Sequence, residues 1–212
     1  MKNKIDKTLV ISIILCLTPM LLTIMLYDKL PSQVAVHWNN KGVPDNFASK
    51  AFAGFGLPGI LALLHIFTYV MISNDPKRVN YPKVLKLLLK WLIPVMSLIL
   101  VPVTLFIALG VEINLNLYTP IFLGILITII GNYLPKTKQN YTLGIRLPWT
   151  LNSEENWNKT HRISGYVWTV GGIGIILSSW FNVYSYILSM IILIVLVIIP
   201  ALYSYLLYKK GI

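Results

Sequence analysis

Six long apolar stretches dominate the chain and are separated by polar connections. They cover residues 8–27, 52–72, 91–110, 117–134, 165–181 and 186–208. A helix that crosses a bilayer needs about 20 mainly apolar residues, and none of the six stretches contains Asp, Glu, Lys or Arg. Because a charge at the bilayer centre costs about 2.5–3.5 kcal/mol, this pattern predicts an all-α integral membrane protein with six transmembrane helices.

The composition agrees with this class, and the position of the charges adds a topology. The chain is 56% hydrophobic and 12% charged, with a net charge of +11. If the N-terminus is cytoplasmic, 15 of the 18 basic residues lie inside: Lys2, Lys4, Lys7, Lys77, Arg78, Lys83, Lys86, Lys90, Lys136, Lys138, Arg146, Lys159, Arg162, Lys209 and Lys210. Only Lys29, Lys41 and Lys50 then face outward. The positive-inside rule therefore predicts that both termini are cytoplasmic, and the basicity requires no direct nucleic-acid partner.

The first outer loop, residues 28–50, shows local order in its sequence. Residues 33–38 alternate as a short strand does, with Val34, Val36 and Trp38 on one side. Asn39 to Gly42 has the composition of a turn. We therefore predict a structured loop in which Trp38 anchors at the lipid interface. His37 has only Asp28 and Asp45 as acidic partners, so a hydrogen-bonded loop residue is favoured over a metal ligand.

A second long connection, residues 135–164, is predicted to be an inner loop between the fourth and fifth spans. Arg146 lies three residues before Trp149, which suggests a stacked cation–aromatic pair or a site for a phosphate or carboxylate. Asn152 and Glu155 have the spacing of a capping box.

The helix predicted to follow this box carries Trp157 and His161 on one face, together with Glu154. A membrane-surface element is the favoured interpretation of this helix. Specific binding of a ligand or partner is the alternative.

Polar residues near the spans offer few further candidates. His65 lies at membrane depth, where an ionisable residue is a functional candidate, but hydrogen bonding to a neighbouring helix is the favoured interpretation. Lys83, Lys86 and Lys90 share one side of a segment that suits anionic lipid.

The sequence contains no nucleotide-binding or hydrolase motif, and its three histidines are scattered. We therefore predict no catalytic residues, no metal and no cofactor.

Two groups of residues resemble known families. The segment 1–80 resembles DUF1648 through Leu30, Pro31, His37, Trp38, Asn39, Gly42, Pro44, Asp45 and Lys50. The segment 81–212 resembles the SdpI family of bacterial immunity proteins through Gly131, Asn132, Tyr133, Asn140, Tyr141, Gly144, Ile145, Arg146, Pro148, Trp149, Thr150, Leu151, Glu154, Trp157, Thr160, His161, Arg162 and Gly165. One departure is Leu147, where the family pattern usually has threonine.

The resemblance implies a plasma-membrane protein that protects its producer against a secreted toxin of the sporulation-delay type. It also implies that a cytoplasmic autorepressor is held at the membrane when toxin is present. The expected toxin-binding residues of the outer loop are His37, Trp38, Asn39, Gly42, Asp45 and Lys50. The expected residues of the inner site are Asn132, Asn140, Tyr141, Gly144, Arg146, Pro148, Trp149, Thr150, Glu154, Trp157, His161 and Arg162.

Our hypothesis is that toxin binding to residues 34–50 changes the exposure of residues 140–162. The main alternative is a small transporter or lipid-handling protein of the cell envelope, with a polar path past His65. A membrane enzyme is disfavoured, because no convergent acid, base or metal set can be assembled.

Overall fold

The computed structural model describes residues 6–212, apart from the side chains of residues 182–184. Lys2 and Lys4 of the predicted inner charge set lie outside the described residues. Within residues 6–212, six helical segments are long and apolar enough to cross a membrane: Lys7–Leu26, Phe52–Asn74, Lys83–Ala108, Leu115–Lys136, Glu154–Phe181 and Ser185–Lys209. The prediction of six membrane-spanning helices is confirmed by length and composition, and the chain is a multi-pass membrane protein.

The helices begin and end at identifiable residues. They are α1 (Lys7–Leu17), α2 (Pro19–Leu26), α3 (Leu57–Asn74), α4 (Lys83–Ala108), α5 (Leu115–Tyr133), α6 (Pro148–Asn152), α7 (Glu154–Ser178) and α8 (Ser185–Lys209). Asp6 caps α1 by accepting the Thr8 N–H at 2.9 Å. Proline has no N–H and suits the first turn of a helix, and Pro19 accordingly begins α2 directly after α1 ends.

The chain forms two compact units. The first comprises residues 6–73 and 87–113, and the second comprises residues 74–86 and 114–212. In the first unit, Leu30, Val101 and Leu105 form an apolar core. The free thiol of Cys16 is buried in this unit. The backbone oxygen of Cys16 accepts a hydrogen bond from the Ser97 hydroxyl at 2.7 Å.

An antiparallel hairpin in the first unit joins β1 (Gln33–Trp38) to β2 (Pro44–Ser49). The strand predicted at residues 33–38 is therefore present, and the fold is not purely α-helical. The predicted alternation fails at Ala35, which is buried beside Val34. The pairing register shifts between Ala35 and His37 and again between His37 and Trp38, and such bulges change which side of a strand faces the core.

Close packing of α5 against α7 organises the second unit. A Cβ added at Gly131 would lie 2.6 Å from the backbone nitrogen of Thr169, so the two helices approach at a distance that only glycine permits. Ile127, Ile175 and Leu196 form the apolar core beside this contact.

The start of α7 corrects the prediction for the fifth span. We expected the span at residues 165–181 after a loop at residues 135–164, but α7 begins at Glu154 and runs unbroken to Ser178. The connection that remains, residues 137–153, is called the signature loop below. The predicted helix cap is also wrong by one residue, because the Ser153 side chain, and not that of Asn152, accepts the Asn156 N–H at 3.1 Å.

Candidate functional site

Two of the residues predicted to bind toxin contact each other in the hairpin, and the others contribute to its structure. His37 Nδ1 and Asp45 Oδ1 lie 2.6 Å apart, with side chains 65% and 41% exposed. Asn39 shapes the turn, because its Oδ1 accepts the N–H groups of Lys41 at 2.9 Å and Val43 at 3.1 Å. Gly42 completes the turn with a φ of +74°, which glycine adopts readily.

Lys50 and Trp38 are less available than a binding role would suggest. The Lys50 ammonium donates to the carbonyl oxygen of Tyr27 at 2.8 Å and lies 4.3 Å above the Tyr27 ring. It therefore stabilises the end of α2, where carbonyl groups lack helical partners. Trp38 is half-buried at the end of β1. Among the residues predicted to bind toxin, His37 and Asp45 are the exposed ones that a partner could reach.

His65 makes the contact expected of a packing residue. The Ser12 hydroxyl donates to the Leu9 oxygen at 2.9 Å and lies 2.7 Å from His65 Nε2. His65 therefore joins α3 to α1 within the first unit. Its Nδ1 atom has no hydrogen-bond partner among the described residues.

His161 holds the turn of the signature loop. The Ile145 N–H donates to His161 Nε2 at 3.0 Å, and Nδ1 lies 2.9 Å from the Trp157 oxygen. Because a backbone N–H only donates, Nε2 must be unprotonated and Nδ1 must carry the hydrogen. His161 is therefore a neutral imidazole that links the loop to α7.

Trp157 packs against His161. Their rings are stacked, with centroids 4.0 Å apart and an interplanar angle of 18°. The Trp157 side chain is fully buried, and its Nε1–H donates to the Thr137 oxygen at 2.6 Å. The predicted shared face of Trp157 and His161 is confirmed. The membrane-surface interpretation of this helix stays a prediction, although its Trp157–His161 face is buried within the second unit.

Two further buried side chains fold the loop on itself. Asn140 Oδ1 accepts the N–H groups of Thr142 at 3.0 Å and Leu143 at 2.6 Å. The Thr150 hydroxyl accepts the Leu147 N–H at 2.8 Å and lies 2.8 Å from the Ile145 oxygen. Because these contacts satisfy backbone groups that no helix or strand pairs, they give an irregular loop a defined shape.

Arg146 and Trp149 do not form the predicted pair. The Trp149 ring instead lies 5.8 Å from the Tyr208 ring and 5.6 Å from the Tyr205 ring, both on α8. Arg146 is exposed, and its Nη1 donates to the Tyr141 oxygen at 2.8 Å. The guanidinium is therefore held by one contact on an exposed side chain, and a planar group of this kind can bind a carboxylate or phosphate.

The predicted residues of the inner site thus differ in burial. Asn140, Thr150, Trp157 and His161 are buried and form the framework. Trp149 is half-buried, and the exposed members are Asn132, Tyr141, Gly144, Arg146, Pro148, Glu154 and Arg162. Glu154 is exposed although its spacing suggests the face of buried Trp157. No group of three His, Cys, Asp or Glu side chains within residues 6–212 is placed to hold a metal ion.

Sequence reasoning missed several residues that shape this site. Asn156 is buried in α7, and its Oδ1 accepts from the Ser204 hydroxyl of α8 at 2.6 Å. Gln139 Nε2 donates to the backbone oxygens of Thr150 at 3.0 Å and Leu151 at 2.8 Å. Both amides lie within polar stretches, so no local pattern in the sequence distinguishes either residue.

Asp75 is the least expected member of the site. Its side chain is 5% exposed and accepts hydrogen bonds from the Tyr81 hydroxyl, the Lys77 N–H at 2.7 Å and the Tyr141 N–H at 3.2 Å. Burial raises the pKa of Asp75, but its hydrogen bonds outweigh burial and hold that pKa below the ordinary value. Burial and the contact with Asp75 raise the pKa of Tyr81 to about 12, so the Tyr81 hydroxyl remains a donor at neutral pH.

Models of two known families match separate parts of the chain. The model of the SdpI/YfhL protein family matches residues 136–204, which include the whole signature loop. A second model, described as a domain of unknown function (DUF1648), matches residues 14–62, which include the hairpin.

One curated relative is similar over almost the whole chain. Immunity protein SdpI of Bacillus subtilis (strain 168) is 34% identical over 202 residues, which are 95% of this chain and 96% of the relative. No solved structure matches this chain. The extent and identity of this similarity show that the chain belongs to the SdpI/YfhL protein family.

Proposed function

We propose that this chain is an immunity protein that protects its producer against a secreted toxin of the sporulation-delay type. The observation that carries the proposal is the 34% identity to Immunity protein SdpI across 95% of the chain. The two candidate sites support it, since each presents polar groups on an exposed surface. No catalytic step is required by this function.

The proposal includes a topology in the plasma membrane, with both termini in the cytoplasm. The uneven distribution of Lys and Arg supports this orientation. It makes the hairpin extracellular and the signature loop cytoplasmic. The basic residues of the inner face would also attract anionic lipid.

Labelling of single cysteines tests this topology. In intact cells, we expect a membrane-impermeant maleimide to label Lys41→Cys of the hairpin and not Lys210→Cys near the C-terminus. The native Cys16 gives little background because it is buried. Labelling of Lys210→Cys in intact cells would show that the proposed orientation is incorrect.

Within this topology, the two sites take different partners. The exposed His37–Asp45 pair is available to a toxin that arrives from outside. We propose that Arg146 and its exposed neighbours contribute to protection from the cytoplasmic side and are also available to a cytoplasmic autorepressor. Toxin can change the second site only if it binds two conformations of the protein with different affinity.

Protection conferred on a toxin-sensitive strain tests the function. The strain lacks its own immunity protein and expresses either this chain or a variant at equal membrane abundance. We expect the wild type to raise the tolerated toxin concentration. Arg146→Ala should reduce the gain about tenfold or more, because a hydrogen bond to a charged group contributes about 1.5–3 kcal/mol.

Two controls make this result specific to the guanidinium. Lys138→Ala removes an exposed positive charge from the same loop and should leave protection intact. Arg146→Lys keeps the charge but loses the planar fork, so it should recover only part of the activity. Absence of protection by the wild type would refute the immunity function, and full protection by Arg146→Ala would remove the signature loop from it.

A further inference from the structure

The connection between α3 and α4 contacts the signature loop within the second unit. It includes Asp75, Lys77, Asn80 and Tyr81, which lie outside both family matches, at residues 14–62 and 136–204. Neither the predicted sites nor the immunity proposal gives these residues a role. They nevertheless make the contacts that hold the first residues of the loop.

Asp75 is the centre of these contacts. A buried carboxylate is costly unless hydrogen bonds compensate for lost hydration. Oδ1 accepts the Lys77 N–H at 2.7 Å, while Oδ2 accepts the Tyr81 hydroxyl and the Tyr141 N–H at 3.2 Å. The carboxylate therefore joins its own connection to the backbone of Tyr141 in the signature loop.

A second set of contacts runs parallel to the first. The Lys77 ammonium donates to Gln139 Oε1 at 2.9 Å and lies 5.0 Å above the Tyr141 ring. Asn80 Nδ2 donates to the Gln139 backbone oxygen at 2.7 Å. Because Gln139 also donates to the end of α6, the connection holds both the beginning and the end of the loop.

The position of Tyr141 matters for the exposed side of the loop. Its N–H donates a hydrogen bond to Asp75, and its carbonyl oxygen accepts one from the Arg146 guanidinium at 2.8 Å. The two groups belong to neighbouring peptide planes, so a shift of one moves the other. Asp75 therefore acts on Arg146 through the backbone of a single residue.

We propose that Asp75 is a positioning residue for immunity, which together with Tyr81 holds the signature loop so that Arg146 faces its partner. This inference rests on the proposed function of the loop. Asp75 need not touch the partner, because it acts through the Tyr141 backbone and the residues that follow.

Asp75→Asn is the sharpest substitution for testing this role. An amide in place of the carboxylate has one acceptor oxygen, and its NH₂ group must face either the Lys77 N–H or the Tyr141 N–H. Tyr81 can rotate its hydroxyl, but a backbone N–H cannot become an acceptor. One of the two backbone contacts is therefore lost whichever way the amide points.

The experiment combines toxin survival with hydrogen exchange of the full-length protein in lipid nanodiscs. In Asp75→Asn, we expect about tenfold faster exchange in the peptide that covers residues 139–147, with unchanged exchange in α8. The tolerated toxin concentration should fall about tenfold at equal abundance. Glu155→Gln is the matched control, because Glu155 is exposed and pairs with Lys159 on its own helix. It should change neither readout.

A double-mutant cycle separates positioning from general destabilisation. Tyr81→Phe removes one donor from the carboxylate, and the double variant with Asp75→Asn should lose little more protection than Asp75→Asn alone. Tyr166→Phe, at an exposed tyrosine of α7, is the control for the hydroxyl. Additive losses, or faster exchange throughout the chain, would overturn the positioning role.

The two readouts also distinguish this inference from the proposed function. If the wild type gives no protection, the immunity proposal fails, while local exchange still reports whether Asp75 holds the loop. If Asp75→Asn protects as well as the wild type, the positioning role in immunity is overturned. Unchanged exchange at residues 139–147 would overturn it as well.

Discussion

Trp157→Ala is expected to destabilise the second unit more than a single substitution at any other predicted residue of the inner site. Truncation of a fully buried aromatic side chain costs about 3–5 kcal/mol. Trp157 is 0% exposed, stacks on His161 at 4.0 Å, and donates to Thr137 at 2.6 Å. The substitution therefore leaves a cavity, an unsupported imidazole and an unpaired carbonyl oxygen.

The melting temperature of the second unit in detergent measures this effect. Trp157→Phe should be intermediate, because it keeps an aromatic ring beside His161 and loses the N–H donor. Trp180→Ala is the control, since that indole is 63% exposed and its removal creates no cavity. Equal melting temperatures for Trp157→Ala and Trp180→Ala would contradict the framework role of Trp157.

Gly144→Ala is expected to abolish most of the protection while the six helices remain folded. Gly144 has a φ of +96°, a conformation that costs an L-residue about 1–2 kcal/mol. An added Cβ would also collide with His161 Nε2, the atom that accepts the Ile145 N–H. Leaving that partly buried N–H unpaired adds to this cost.

A second glycine provides a control for backbone strain. Gly110 has a similar φ of +90°, and a Cβ there would meet nothing within 4 Å. Gly110→Ala therefore carries the conformational cost without the collision. We expect at least a tenfold lower tolerated toxin concentration for Gly144→Ala than for Gly110→Ala, measured at equal abundance. Similar values for the two variants would show that contact with His161 is unimportant.

Short-range patterns in the sequence predicted much of the architecture. Hydrophobic runs predicted the six long helices, alternation predicted the strand Gln33–Trp38, and a spacing of four predicted that Trp157 and His161 share a face. Each pattern reflects the period of a single helix or strand. Such patterns need no knowledge of what the element packs against, which is why they succeed.

The errors arose where local rules gave more than one answer. Asn152 and Ser153 are both good N-cap residues, but Asn152 is used in the last turn of α6, so Ser153 caps α7. Spacing alone suggested that Arg146 meets Trp149, yet Arg146 precedes α6 and the indole turns toward α8. In both cases a neighbouring element decided the outcome.

The sequence by itself determined the class of protein, the number of spans and the residues that mark its family. These depend on hydrophobicity, charge and short motifs, which are properties of contiguous residues. The tertiary structure alone decided that Asp75 meets Tyr141 and that Asn156 meets Ser204. The two residues of each pair lie far apart in the chain. Their contacts form because buried polar groups need hydrogen-bond partners, which the folded helices provide.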